Sequence, residues 1–333
     1  MRRAVWTADG LTVDDVAPPP VAPGFARLAV EACGICGTDL QFWSGHHHPK
    51  EGSTPGHEFV GTLLDAPAGT PDQRWSASPM VRCGACEHCL ADELNLCRKG
   101  GDLIGIGRDG GLAEWVDVPV ENLVALGDVP VDVGVLAEPT AVAVRGVGLS
   151  RLRPDETVLV LGAGTIGLLA ALVARRTNER VLISARYPHQ VAAAEALGLD
   201  VLAEADVLAW GKQERPSVIV ETVGGQANTI NDAIRVARRG GRVVVLGTFD
   251  KPPVDLLTAL QKEVAIVPSF AYSIREGVSD FAEAARVLDE HRDALPALVT
   301  HQVTLDDVAS AFGTAADKQL GAIKVAVTTS SEV

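Results

Sequence analysis

The sequence predicts an α/β protein of two domains, and three observations carry that prediction. A chain of 333 residues is longer than a single hydrophobic core usually organises, and at about 150 residues per domain the expectation is two. Up to about Leu136 the chain reads as short strand-like runs such as ARLAVEA, EFVGTLLDA and LAEWVDVPV, separated by Pro- and Gly-rich loops such as APPPVAPG. From Glu156 apolar runs alternate with helical stretches, the pattern of a parallel sheet with right-handed crossovers.

The second half sets out its elements in order. TVLVLGAG, RVLISA, SVIVETVG and RVVVLG read as buried strands, and IGLLAALVARR, HQVAAAEALG and TINDAIRVARRGG as the helices between them. DFAEAARVLDEHRD has apolar residues at helical spacing. After it come the strand-like VTHQVTL, a helix DDVASAFGTAAD, a terminal strand AIKVAVT and a frayed tail TSSEV. These last elements are expected to return to the first domain. The predicted boundaries are 1–140 for the first domain, 141–284 for the second and 285–333 for the returning segment.

With 47% apolar residues the chain should be globular, and a net charge of −14 argues against nucleic acid or an anionic membrane surface, both of which reward clustered Lys and Arg. A small-molecule partner is favoured. MRRAVWTADGLTVDD reaches acidic residues before any apolar run long enough for a signal-peptide core, so a cytoplasmic location is expected. The eighteen uncharged residues from Thr157 to Ala174 could be mistaken for a membrane helix, but Gly162, Gly164 and Gly167 interrupt them where a strand would turn into a helix.

LVLGAGTIG, placed between a strand and a helix, is a dinucleotide-binding fingerprint of a doubly wound, Rossmann-type sheet. Gly162 permits the tight turn, Gly164 lets backbone approach a pyrophosphate, and Gly167 allows helix and strand to pack closely, with phosphate at the helix N-terminus. An acidic residue about 20 positions further on would bind the ribose of NAD. Here the strand ends at Ala185 and is followed by Arg186 and Tyr187, so no carboxylate repels a 2′-phosphate and a guanidinium is placed to pair with one. NADP is therefore expected over NAD. Thr165 and Ile166 inside the fingerprint, and Thr222, Val223 and Gly247 after later strands, complete the expected cofactor-binding set.

Two metal sites are expected. Cys83, Cys86, Cys89 and Cys97 fall within fifteen residues, with two, two and seven residues between them, a spacing that suits a closed tetrahedral zinc site. Such a site holds shape and leaves no open position for substrate. The second set is mixed: Cys36 in CGICGTDLQ, then His57 and Glu58 in PGHEFVG, with Glu138 in LAEPTAVAV as a fourth candidate. A mixed thiolate, imidazole and carboxylate set commonly leaves a coordination position open, so that zinc acts as a Lewis acid. Cys33 invites pairing with Cys36, but is read as a buried, inert thiol ending its strand.

GICGTD, PGHE, the four-cysteine lobe, GRDGGLAEW, LAEP and LGAGTIG occur together in an order that resembles the zinc-dependent medium-chain dehydrogenase/reductase family, its alcohol, polyol and threonine dehydrogenase group. The likeness runs from about residue 3 to 327. It implies a GroES-like β-barrel catalytic domain, a Rossmann domain, an active site in the cleft between them, two zinc ions per chain, and a homodimer or homotetramer. It further implies that Cys36, His57 and Glu58 are zinc ligands, with Glu138 a fourth ligand or one exchanged with Glu58 or water. Asp39 would orient the His57 ring, and Thr38 would hand on the substrate's hydroxyl proton. Many relatives have a His five residues after the ligand cysteine; this chain has Gln41, which cannot titrate, and the nearby His46, His47 and His48 are read as a solvated loop.

The expected activity is reversible hydride transfer between a primary or secondary alcohol and NADP(H), the alcohol being a polyol, sugar, cyclitol or amino alcohol. The alternatives are a quinone or enone reductase of the same superfamily and a non-catalytic NADP(H)-binding sensor. The metal-ligand set counts against both. Aromatic residues are 4% of the chain, which does not suggest a large stacked pocket, although Phe42, Trp43 and Trp115 could line a smaller one.

Overall fold

The computed structural model describes residues 1–64, 70–100 and 102–329. The chain divides into two compact units, Met1–Glu138 with Ser273–Val333, and Pro139–Tyr272. The first unit opens with an antiparallel hairpin, β1 (Arg2–Thr7) and β2 (Gly10–Asp15), turned at Gly10 with φ +115°. It continues through β3 (Phe25–Gly34), β4 (Glu58–Leu63), β5 (Arg74–Ala77), β6 (Trp115–Pro119) and β7 (Leu123–Gly127). β3 is the central member. It pairs antiparallel with β4 from Leu28↔Leu63 to Gly34↔Glu58, and with β6 from Phe25↔Pro119 to Ala29↔Trp115.

The second unit is a six-stranded sheet of β8 (Val158–Leu161), β9 (Val181–Ala185), β10 (Asp200–Ala203), β11 (Val218–Glu221), β12 (Arg242–Val245) and β13 (Ala265–Pro268). All pairings are parallel and the order is β10-β9-β8-β11-β12-β13. The chain therefore reverses direction across the sheet between β8 and β11, the switch point outside which doubly wound folds bind ligands. The long apolar run splits as its glycines require, into β8 and the helix Thr165–Arg175, buried from Gly167 to Ala174. Among the described residues no helix is long and apolar enough to cross a membrane.

The chain then rejoins the first unit through a two-residue hairpin, β14 (Ile274–Arg275) and β15 (Val278–Ser279), the helix Asp280–Glu290, β16 (Val299–Thr304), the helix Val308–Ala316 and β17 (Lys324–Thr328). β17 lies between β16 and β3, giving the order β16-β17-β3-β4-β5-β7 with β6 also paired to β3. From the helix Val308–Ala316, Phe312 packs against Trp6 and Trp43 with ring centroids 5.7 and 5.5 Å apart. The return begins at Ser273, not at 285 as the sequence pattern suggested. Ser273 Oγ donates to Asp92 O at 2.6 Å and accepts from Leu94 N at 2.7 Å, which fastens the segment to the cysteine lobe. Such a bond joins residues about 180 positions apart and leaves no mark on local periodicity. The expected tail lies, from Ser330 onward, outside the described residues.

Glu156, buried at the edge of the second unit, faces the guanidinium groups of Arg153, Arg238 and Arg242. Burial opposes its ionisation, but hydrogen bonds from Arg242 and the Arg153 amide outweigh it and hold the carboxyl below its usual value. The stabilisation is therefore present above the unfolded value of about 4.5 and is lost as pH falls through the lower native value. In urea titrations, Glu156→Gln should lower stability by about 1–3 kcal/mol at pH 7. The difference from the unmodified protein should narrow below pH 4.

Candidate active site and metal centres

β3 ends at Gly34, and two residues on the chain enters the helix Gly37–Trp43, for which Cys36 is the residue preceding the first turn. Asp39, in that turn, accepts a hydrogen bond from Cys36 N at 2.9 Å, so its carboxylate is held under the thiol. The pairing Gly34↔Glu58 puts His57 and Glu58 at the start of β4 beside the same strand end. Ligand atoms of Cys36, His57 and Glu58 thus gather within 4.8 Å of one another.

The surroundings are dry and heavily charged. His57, Glu58 and Asp39 are all buried, Asp39 completely. Burial disfavours a charged His57, but Asp39, Cys36 and Glu138 outweigh it and raise its pKa well above the usual value. Burial also raises the pKa of Asp39. Asp39 Oδ1 and His57 Nδ1 lie 3.7 Å apart, beyond hydrogen-bond reach, and neither has a hydrogen-bond partner. Glu138, buried in the first turn of the helix Ala137–Leu149, is not part of the three-residue cluster, though its charge acts on His57 and Lys324.

Lys324 is the functional neighbour that sequence reasoning missed. It sits on β17, buried, donating to Ile35 O at 3.0 Å and paired with Glu58. Burial disfavours its charge, but Glu58 and Cys36 outweigh it and raise its pKa. The available signal was a single cation inside the otherwise apolar terminal strand AIKVAVT. Gly34 makes the pair possible, because a Cβ there would sit 2.3 Å from Glu58 Oε2 and 3.2 Å from Lys324 Cδ. Three carboxylates and a thiol face this one lysine, an arrangement that fits a divalent cation.

Thr38 is half-buried, with Oγ1 3.8 Å from Cys36 Sγ. Cys33 is fully buried outside the cluster, its thiol pushed well up by burial, as the inert reading requires. His46, His47 and His48 are exposed. Phe42 and Trp43 pack on the core of the first unit, and Arg27 lies over the Trp115 ring at 5.6 Å, so these rings are occupied with structural contacts.

In the cysteine lobe, sulfur separations are 3.6 Å for Cys83–Cys97, 3.6 Å for Cys86–Cys89 and 3.9 Å for Cys83–Cys89. Four sulfurs about 2.3 Å from a common tetrahedral centre would be about 3.8 Å apart, so the lobe fits zinc. Backbone N–H groups of Arg98 and Cys89 lower the Cys86 thiol to about 6, while burial pushes Cys89 up to about 12. All six cysteines are free thiols.

The expected cofactor residues gather at the carboxyl ends of the parallel strands. Gly162 has φ +95°; a Cβ at Gly167 would lie 1.8 Å from Gly162 O, whereas one at Gly164 would meet nothing within 4 Å. Gly167 therefore serves packing, and the space above Gly164 can take a pyrophosphate. Gly164 contributes no side-chain cap to the helix beginning at Thr165 and Ile166. Thr222 Oγ1 donates to Leu161 O at 2.7 Å. Buried Glu221 accepts from Val223 N, Gly224 N and Thr229 Oγ1 at 2.9, 3.1 and 2.7 Å, and a Cβ at Gly247 would collide with it. This unforeseen carboxylate fixes the loop beside β8. Arg186 and Tyr187 follow β9, where Arg186 is exposed and paired with Glu204.

Residues 22–128 match the alcohol dehydrogenase GroES-like domain, and residues 165–290 match the zinc-binding dehydrogenase domain. An L-threonine 3-dehydrogenase from Streptomyces avermitilis is 33% identical, with 94% of this chain and 95% of the relative covered. An L-galactonate-5-dehydrogenase from Escherichia coli is 28% identical, with 86% of each covered. A Sinorhizobium meliloti structure bound to NADP superimposes with a TM-score of 0.86 at 28% identity, covering 98% of this chain and 99% of that one. The two domain matches, the spacing of both cysteine-bearing motifs and the parallel sheet agree: the chain belongs to the zinc-dependent medium-chain dehydrogenase/reductase family and is a zinc- and nicotinamide-dependent alcohol dehydrogenase.

Proposed function

We propose that this enzyme reversibly oxidises a secondary alcohol flanked by polar substituents, a polyol, sugar acid or amino alcohol, using NADP in preference to NAD. The observation that carries the reading is the buried convergence of Cys36, His57 and Glu58, with the Thr38 hydroxyl beside it. Threonine oxidised at carbon 3 and galactonate at carbon 5 are both secondary alcohols with polar neighbours, which supports the substrate class. Arg186 after β9, without a carboxylate at positions 185–187, supports NADP.

Cys36, His57 and Glu58 would hold one zinc, with Glu138 as a fourth ligand or in exchange with Glu58, and Cys83, Cys86, Cys89 and Cys97 a second. Zinc held by the first set would supply Lewis-acid polarisation of the substrate oxygen, and a bound nicotinamide would supply the hydride acceptor. Thr38 Oγ1 would accept the proton of the substrate hydroxyl while giving up its own toward the cofactor ribose, and because Gln41 cannot titrate, water would carry that proton out. Asp39 acts on His57 through its charge, at 3.7 Å and without a hydrogen bond, and Lys324 offsets the charge of Glu58. The N-terminus of the helix Thr165–Arg175, with Thr222, Val223 and Gly247, would hold the cofactor's pyrophosphate. The family resemblance supports homodimeric or homotetrameric assembly and a cytoplasmic location, with sedimentation as the check on assembly.

Elemental analysis should give two zinc ions per chain. Cys36→Ser should lose one and reduce alcohol-dependent NADPH formation by more than about 100-fold, while Cys89→Ser should lose the other first. A Cys36→Ser protein with full turnover and both ions would defeat the assignment. Lys324→Met should destabilise the zinc-free protein by about 3–5 kcal/mol in urea, because it strands the buried Glu58 charge. Adding Glu58→Gln should recover more than half of that loss.

A further inference from the structure

The two strands at one edge of the second unit end in step. β9 and β10 pair in parallel with Ala185 opposite Ala203, so the next residue on each, Arg186 and Glu204, leaves the sheet at the same level. There they meet end-on. Arg186 Nη2 donates to Glu204 Oε1 at 2.5 Å and Nε donates to Oε2, a two-pronged pairing that uses one edge of the guanidinium. The loop behind it is fixed, since Gln190 Oε1 accepts from Arg186 N at 3.0 Å and from Tyr187 N at 3.3 Å. Ser184 Oγ accepts from Gly162 N at 3.2 Å, which ties the end of β9 to the glycine turn.

Both side chains remain open to solvent, Arg186 at 60% and Glu204 at 40% of their side-chain surface, so a ligand can reach them. Arg186 holds Glu204 ionised by lowering its pKa. An exposed pair is screened by water and so can be exchanged for a ligand, and a phosphate dianion is a stronger partner for the same donors than a carboxylate. Once displaced, Glu204 would remain an unpaired anion beside the phosphate.

We propose that Glu204 is a specificity-determining residue: it competes with the 2′-phosphate of NADP for the fork of Arg186, and so sets how strongly this enzyme prefers NADP over NAD. The inference rests on the NADP reading of Arg186 given above and adds a residue that lies 18 positions beyond it, just after the neighbouring strand. With NAD the pair stays closed, because a ribose hydroxyl offers the guanidinium nothing that outbids a carboxylate.

The test is calorimetric binding of adenosine 2′,5′-bisphosphate and of ADP to the full chain, alongside kcat/KM for NADP and NAD. Glu204→Gln should tighten the bisphosphate about three- to tenfold, raise kcat/KM for NADP similarly, and leave ADP and NAD within about twofold. In an Arg186→Ala background the same substitution should tighten the bisphosphate clearly less, because the fork for which Glu204 competes is gone and only its repulsion of the phosphate is relieved. An unchanged or weakened bisphosphate affinity in Glu204→Gln, with Arg186→Ala still weakening it, would overturn the role of Glu204 alone. If Arg186→Ala left bisphosphate binding intact, the NADP reading itself would fall.

Discussion

The pairing of buried Glu58 with buried Lys324 across Gly34 is the constraint on which the candidate active site depends. An ionised carboxylate inside an apolar barrel is costly unless an opposite charge and hydrogen bonds offset it. Here the offset comes from a strand near the end of the chain, inserted beside β3. The pair therefore does more than balance charge. It ties the placement of β17 to the placement of β4, and β4 carries His57 and Glu58 to the turn where Cys36 begins its helix. Gly34 is the spacer between them: any side chain there would occupy the volume in which the two charges meet.

Charge balance also separates the two cysteine-bearing sites. In the lobe, four sulfurs stand at the separations of a filled tetrahedron, so a metal there would have no place for substrate. Around Cys36 the donors are of three kinds, three protein atoms are close together, and Asp39 Oδ1 and His57 Nδ1 keep hydrogen-bonding capacity unspent. The lobe is joined instead to the returning segment through Ser273, which fits a role in shape.

The second unit applies another version of the same rule. Its ligand edge is made of backbone and glycine where phosphate must approach, and of buried Glu221, paired to amides, where the loop must stay fixed. At the far edge, strand register places a cation and an anion side by side in solvent, where their attraction is small enough to be exchanged for a ligand's.

Much of this was legible in the sequence, because it is carried by local spacing. The strand, glycine turn and helix of LVLGAGTIG, the four-cysteine spacing and the Cys36, Thr38 and Asp39 run lie within short segments whose geometry is fixed by turn and helix periodicity. The two-domain α/β plan followed from chain length, loop punctuation and period. What only the tertiary structure decided are relations between distant segments. Lys324 against Glu58, Ser273 against Asp92 and Glu204 against Arg186 each depend on which strands become neighbours and in what register. The same holds for the absence of Glu138 from the three-residue cluster. A sequence specifies such partners only through the folded chain, since a buried charge selects its counter-ion by proximity in space and a position in the chain carries no such information.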